Sequence, residues 1–190
     1  MKTRAEGLRF WLLVKSPRLC SFSSMSALKP IPLSKLIEAL EWDDMESDYV
    51  CLVDLQDGDV ICVERDAYDD PADWLERMAE EGMMGSQDPE FLIKKAVAND
   101  HGGERFIQPP QKYDYHEYEK MRDFIDQLTD ENAADQLRQA IRGKGAFRYF
   151  KDTLHRLDLI DSWYDYRHAT MKEFVIAWAD SHQVPYTDDT

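Results

Sequence analysis

Two apolar runs, YVCLVDL and VICVE, flank the segment Gln56-Asp57-Gly58-Asp59. β-Branched residues on either side of an Asp-Gly turn are a strong short-range signal for a β-hairpin, here over residues 49–64. Alternation along the strands puts Cys51, Val53, Val60 and Cys62 on one face, and Val50, Leu52, Ile61 and Val63 on the other. Both faces are apolar, whereas a sheet wetted on one side alternates apolar with polar. The rest of the chain must therefore cover this hairpin from both sides. Cys51 and Cys62 come out as near neighbours across the hairpin. They are read as buried thiols packing as small hydrophobes, with a redox pair as the alternative. Cys20, Cys51 and Cys62 are an odd number with no CxxC spacing, which fits a reducing cytosol better than a disulfide framework.

The flanking segments supply helices. Ser34 reads as the N-cap of a short helix through Leu36, Ile37 and Leu40. Asp70-Pro71 opens a helix through Trp74, Leu75 and Met78 that ends at Gly82 and Gly85. Asp88-Pro89 opens another through Phe91, Leu92 and Val97, stopping before Gly102-Gly103. Residues 105–108 form a candidate third strand, halted by Pro109-Pro110. From Asp114 onward the pattern is helical. Tyr115, Tyr118, Met121, Ile125 and Leu128 follow one helical stripe, and a second helix runs from Asp130 to Arg142. A third, from about Ala146 to Leu157, sets Phe147, Phe150 and Leu154 on one face. The last carries Tyr164, Arg167, Met171, Phe174, Val175 and Trp178, and the acidic tail after Pro185 reads as frayed.

Net charge is −15 over 190 residues, which disfavours non-specific attraction of the whole molecule to nucleic acid or an anionic membrane. No apolar run approaches membrane-spanning length. Residues 1–24 differ from the rest, with Lys2, Arg4, Arg9, Lys15 and Arg18 against Glu6. They read as a non-native or flexible basic extension with Met25 as the true start, and a basic tether is the competing reading. Phe10–Val14 is too short for a signal-peptide core. Residues 25–190 are then a single domain, with a mixed part over 25–110 and a helical part over 111–184. The second anomaly is RQAIRGKGAFRYFKDTLHR at 138–156. It holds Arg138, Arg142, Lys144, Arg148, Lys151 and Arg156 against one acid, Asp152.

The run GKGAFRYFKDTLHR, followed by WYDYR and then EFVIAWA, resembles the C-terminal signature of a bacterial family with no assigned activity, Uncharacterised Protein Family 0158. Its members show Gly-[Arg/Lys]-Gly-Ala-Phe-Arg-x-Phe-Lys-Asp, then Trp-[Tyr/Phe]-x-[Tyr/Phe]-Arg and a closing helix. Here these positions are Gly143 to Asp152, Trp163 to Arg167, and the helix ending at Trp178. The preceding YEKMRDFIDQL is similar as well. The likeness covers roughly residues 105–180, with a weaker echo in the hairpin, and implies a small sheet plus a helical half. Residues 66–104 look peculiar to this chain.

Gly143 suits the left-handed position after a helix, and Gly145 lets the backbone turn into the next one. That helix would begin with free N–H groups beside Lys144, Arg148 and Lys151. Cations at a helix N-terminus oppose the macrodipole, so an anion or carboxylate is needed to relieve them. A phosphate-type ligand is the functional answer, and pairing of Arg148 and Lys151 with Asp161 or Asp165 is the structural one. The segment lacks both a dinucleotide fingerprint and a P-loop ending. Trp163, Tyr164, Tyr166 and Arg167 are a candidate stacking platform, with Tyr164 expected in the core and Trp163 and Tyr166 expected at the surface. The five histidines show no metal spacing. Asp152 and His155, three apart on one helix, resemble an acid–base pair without a nucleophile.

The expected fold is α+β, a small antiparallel sheet around the 49–64 hairpin packed on a C-terminal helical half. The expected function is that of a cytosolic, non-enzymatic binding or regulatory protein without cofactor or metal. Lys144, Gly145, Arg148, Lys151, Trp163 and Arg167 would take an anionic group from a nucleotide, RNA or an acidic protein segment. Membrane contact and DNA-groove binding are not expected. The alternatives are an enzyme of phosphate or nucleotide chemistry using Asp152 and His155, and an acidic decoy or immunity-type protein for a basic partner.

Overall fold

The structure is a computed structural model that describes residues 28–42 and 48–190. The expected extension over residues 1–24 and the expected start at Met25 lie outside the described residues. Strand β1 (Ile31–Pro32) leads directly into helix α1 (Leu33–Trp42). The hairpin follows as β2 (Tyr49–Asp54) and β3 (Asp59–Glu64), antiparallel, with Val50 opposite Val63 and Leu52 opposite Ile61. Its turn closes through the Gly58 amide, which donates to the Asp54 carbonyl at 2.9 Å. Gly58 has a φ of +67°, and a Cβ there would stand 2.7 Å from the Lys29 Cβ. Glycine is what lets this turn lie against the chain at residues 29–30.

Helices α2 (Arg65–Asp69), α3 (Pro71–Glu80) and α4 (Pro89–Ala98) come next. The Asp-Pro starts behave as expected: Asp70 accepts from the Asp73 amide and Asp88 from the Phe91 amide. Trp74 and Phe91 stack with ring centroids 5.6 Å apart. Strand β4 (Phe106–Ile107) then joins β2, giving the sheet order β3-β2-β4.

The helical half comprises α5 (Lys112–Tyr115), α6 (Glu117–Asp126), α7 (Glu131–Ala140), α8 (Ala146–Arg156) and α9 (Ile160–His182). The fold is thus α+β, a small antiparallel sheet with a helical C-terminal half. No described helix is long and apolar enough to cross a membrane.

The two-faced hairpin is covered on both sides. Val53, with Val60 beside it, packs on Leu36, Ile37 and Leu40 of α1 and on Met171 and Val175 of α9. Leu52 and Val63, on the opposite face, pack with Val97 of α4 and Phe106 of β4. Each such side chain taken fully out of water contributes roughly 1.5–3 kcal/mol. A separate aromatic core binds the helical half: Phe124, Phe150, Leu154 and Trp163 with Met121, Ile125 and Leu137.

Four expectations need correction. Cys51 and Cys62 are not buried thiols but a disulfide, with Cα atoms 4.1 Å apart. Cys51 is half-buried and Cys62 exposed, because the apolar cover over this face gathers around Val53 and Val60 and includes neither cysteine. The helix expected through Tyr115 to Leu128 breaks at His116, which has a φ of 50°. Tyr115 belongs to the core under the hairpin, whereas Met121 and Ile125 belong to the aromatic core, and one straight helix does not serve both.

The tail is not frayed either. Strand β5 (Tyr186–Thr187) pairs in parallel with β1, and Lys172 bridges Asp188 at 2.7 Å. Ser34 is not a cap, since α1 starts at Leu33 and Ser34 lies in its first turn. The cap comes from the tail: Asp189 accepts from the Ser34 amide at 3.0 Å and from its hydroxyl at 2.7 Å. That carboxylate satisfies one of the amide donors left open at a helix start.

Asp54 is the one fully enclosed acid among the described residues. Arg105 donates to it from Nε at 2.9 Å and from Nη2 at 2.6 Å, and the Gln56 and Asp57 amides add two more bonds. Burial pushes the Asp54 carboxyl up, but the Arg105 and backbone hydrogen bonds outweigh it and leave the group below its ordinary value. A depressed carboxyl contributes stability above its unfolded pKa, about 3.9, and loses it as pH falls through the folded value. Asp54→Ala is expected to cost about 2–4 kcal/mol in urea denaturation at neutral pH. It should also flatten the fall in stability below about pH 4; an unchanged acid limb would show that the pair contributes nothing.

Candidate functional site

The turn between α7 and α8 is built by its glycines. Gly143 and Gly145 both sit in the left-handed region, at φ of 78° and 86°. The last turn of α7 is closed by the Tyr118 hydroxyl, which donates to the Ile141 carbonyl at 3.2 Å. The start of α8 has no side-chain cap, and the first amides of a helix have no partner within it. A Cβ on Gly145 would come 3.1 Å from the Tyr149 ring, so that ring lies against the glycine turn. Ala146, Phe150, Thr153 and Leu154 face inward, and Phe147, Arg148, Tyr149 and Lys151 face water. Phe147 was expected on the buried stripe. It lies beside that stripe instead, 47% exposed.

The cations of this segment divide into two groups. Arg138 is neutralised by Asp135 at 3.0 Å and Glu131 at 3.6 Å on its own helix α7, and by Asp126 of α6 at 3.5 Å. Its guanidinium is held above its usual range chiefly by the Asp135 hydrogen bond. Around the turn the picture is different. Among the described residues Arg148 reaches only Asp152, at 3.8 Å, and both side chains are well exposed. Such a pair contributes little. Arg142, Lys144 and Lys151 are exposed and have no carboxylate partner among the described residues, and the same holds for Arg156 at the far end of α8. The expected structural answer, pairing with Asp161 or Asp165, does not occur there. Lys144, Gly145, Arg148 and Lys151 are therefore all exposed, at the glycine turn and along the first two turns of α8.

Trp163 and Arg167 do not join it. Trp163 is 1% exposed, wedged between Phe150 at 4.9 Å and Phe124 at 5.4 Å. Its Nε1 is buried without a hydrogen-bond partner among the described residues. Tyr164, expected in the core, is 47% exposed instead. Arg167 is engaged at both ends: Nε donates to Glu117 at 2.8 Å and Nη1 to Glu41 at 2.6 Å. Burial lowers its pKa, but the hydrogen bonds it donates to Glu41 and Glu117 more than compensate. The residue fastens α9 to α1 and α6. The expected stacking platform is thus dismantled, with its indole in the core and its guanidinium consumed.

Asp152 and His155 are both exposed, and no hydrogen bond joins them. No group of three or more His, Cys, Asp or Glu among the described residues could hold a metal. Two concavities lie elsewhere. One, of about 340 Å³, is lined by Tyr68, Val97, Asp100, His101 and Phe106. The other is an open groove of about 610 Å³ between α6 and α9, with Asp123, Asp126 and Glu173 on its walls. Sequence reading missed this groove, although the four-residue spacing of Arg122-Asp123 and Asp126-Gln127 on one helix hinted at a charged face.

Residues 28–189 match the Uncharacterised protein family (UPF0158). The match runs through residues 66–104, which the resemblance read from sequence had set aside. No curated protein and no solved structure matches the chain.

The two arginines should separate in a stability assay. Arg167→Ala is expected to lose about 2 kcal/mol, because it leaves Glu117 half-buried without its donor. Arg148→Ala should change the denaturation midpoint hardly at all. Equal effects would contradict the division between fastening and surface cations.

Proposed function

The chain belongs to the Uncharacterised protein family (UPF0158), and from that starting point we propose that it is a non-enzymatic cytosolic binding or regulatory protein. Its ligand would be an anionic group on a nucleotide, on RNA or on an acidic protein segment, received at the turn formed by Lys144, Gly145, Arg148 and Lys151. One observation carries this reading. In a protein of net charge −15, Arg142, Lys144 and Lys151, without carboxylate partners among the described residues, and the weakly paired Arg148 lie at or within two turns of a helix start that no side chain caps.

Carboxylates are plentiful on the neighbouring helices, and Arg138 shows how readily they are recruited. Leaving Lys144 without one, next to the positive end of the α8 dipole, costs stability. An anion would relieve that cost through the free amides and the Lys144 and Lys151 side chains together. Tyr149 against Gly145 and exposed Phe147 give the surface apolar borders suited to a ring or a base.

Thermal denaturation with ATP and with inorganic triphosphate as probes tests the proposal. Either probe should raise Tm by several degrees at low salt, with the shift shrinking as ionic strength rises. Arg148→Ala combined with Lys151→Ala should abolish the shift, whereas Asp152→Ala should preserve or enlarge it. A shift that survives the double substitution would remove this turn as the binding surface.

A further inference from the structure

Cys51 and Cys62 face each other across the hairpin and are joined covalently. The ladder does not need that bond to keep its register. Leu52, Val53 and Val63 are buried on its two faces. Asp54 is held by Arg105, and Gly58 lies against Lys29. The cysteines are also only 11 residues apart in sequence, within a turn that β2 and β3 already close. A crosslink over so short a loop removes comparatively little freedom from the unfolded chain. The Cα separation of 4.1 Å is that of a non-hydrogen-bonded cross-strand pair, the position where facing side chains come closest. Two thiols released there would stay opposite one another, ready to rejoin without rearrangement of the backbone.

The two sulfurs differ in access. Cys62 is on an exposed residue and Cys51 on a half-buried one. Exchange begins when a thiolate reaches one sulfur of the bond, and the Cys62 side is the more open to solvent. We propose that Cys51–Cys62 is a reversible two-electron redox site that exchanges with small thiols or a dithiol reductant through Cys62.

In the reductive direction, a thiolate of the reductant attacks Cys62 Sγ. A mixed disulfide forms, the Cys51–Cys62 bond breaks, and Cys51 leaves as a thiolate that takes up a proton. A second thiolate of the reductant then attacks the reductant's own sulfur in the mixed disulfide. Cys62 leaves as a thiolate and is protonated, the protein gains two electrons as a dithiol, and the reductant is oxidised to its disulfide. Oxidised glutathione drives the same steps in reverse. This site is independent of the cationic turn, so either proposal stands if the other fails.

The test uses the full chain carrying Cys20→Ser, equilibrated in glutathione or dithiothreitol buffers of graded potential. Free thiols are then tagged with a maleimide and counted by intact mass. The oxidised protein should take no tag. The reduced protein should take two without denaturant, keep its helical circular dichroism and thermal transition, and return to none on addition of oxidised glutathione. In single variants, Cys62 left by Cys51→Ser should form a glutathione mixed disulfide at least about tenfold faster than Cys51 left by Cys62→Ser. Tagging that needs denaturant, unfolding on reduction, equal rates in the two variants, or failure to close the bond in oxidised glutathione would each overturn the proposal.

Discussion

Arg167 is the joint on which this architecture turns. Along α9 the side chains Trp163, Arg167, Met171, Val175 and Ala179 recur every fourth residue, and all but Arg167 are buried. Each step of four advances about 40° around a helix of 3.6 residues per turn, so the row winds as it climbs. Its first member closes the aromatic core with Phe124 and Phe150, and its last three close the core beneath the hairpin. Arg167 stands where the row passes from one core to the other. There it holds Glu117 of α6 and Glu41 of α1, while Tyr115 places its hydroxyl 2.7 Å from that of Thr170 just beyond. A polar clamp with both acids in reach is the arrangement that lets a charged residue sit midway along an otherwise apolar row.

The same winding explains what could and could not be read from the sequence. The hairpin, its register, the two Asp-Pro helix starts and the third strand were legible because each depends on neighbouring residues alone. The faces of α9 were not. A fixed-face reading puts Tyr164 inside and Trp163 outside, but a stripe that rotates toward two different cores reverses them. The break at His116 was invisible for a related reason, since the apolar spacing runs on across it while its members are drawn to separate cores. The pairing of residues 31–32 with 186–187 links segments far apart in sequence, and neither segment carries a strand-length pattern. The exposure of Lys144, Gly145, Arg148 and Lys151 was legible from the glycine and charge pattern, while the burial of Trp163 and the engagement of Arg167 with two acids were not.

Charge is distributed here by structure rather than by average. Arg105 and Arg167 are drawn into acids that neighbouring strands, turns and helices present, and Arg138 into acids of its own helix and of α6. The cations at the α7–α8 turn sit on an exposed glycine-rich reversal and on the outer face of α8, where Asp152 is the one carboxylate they meet among the described residues. An acidic protein thus keeps a small positive surface because geometry, not composition, decides which charges meet.

The parallel pairing of β1 with β5 has a mechanical side. The chain enters the pair at Ile31 and leaves it at Thr187, with both strands pointing the same way. Tension applied from the two ends would pull the strands in opposite directions along their length. The Ile31 amide bond to Pro185 and the Asp189 grip on Ser34 would then be loaded together rather than peeled one after another. Small as it is, this clasp works as a shear latch, and the hairpin and its covering helices lie behind it.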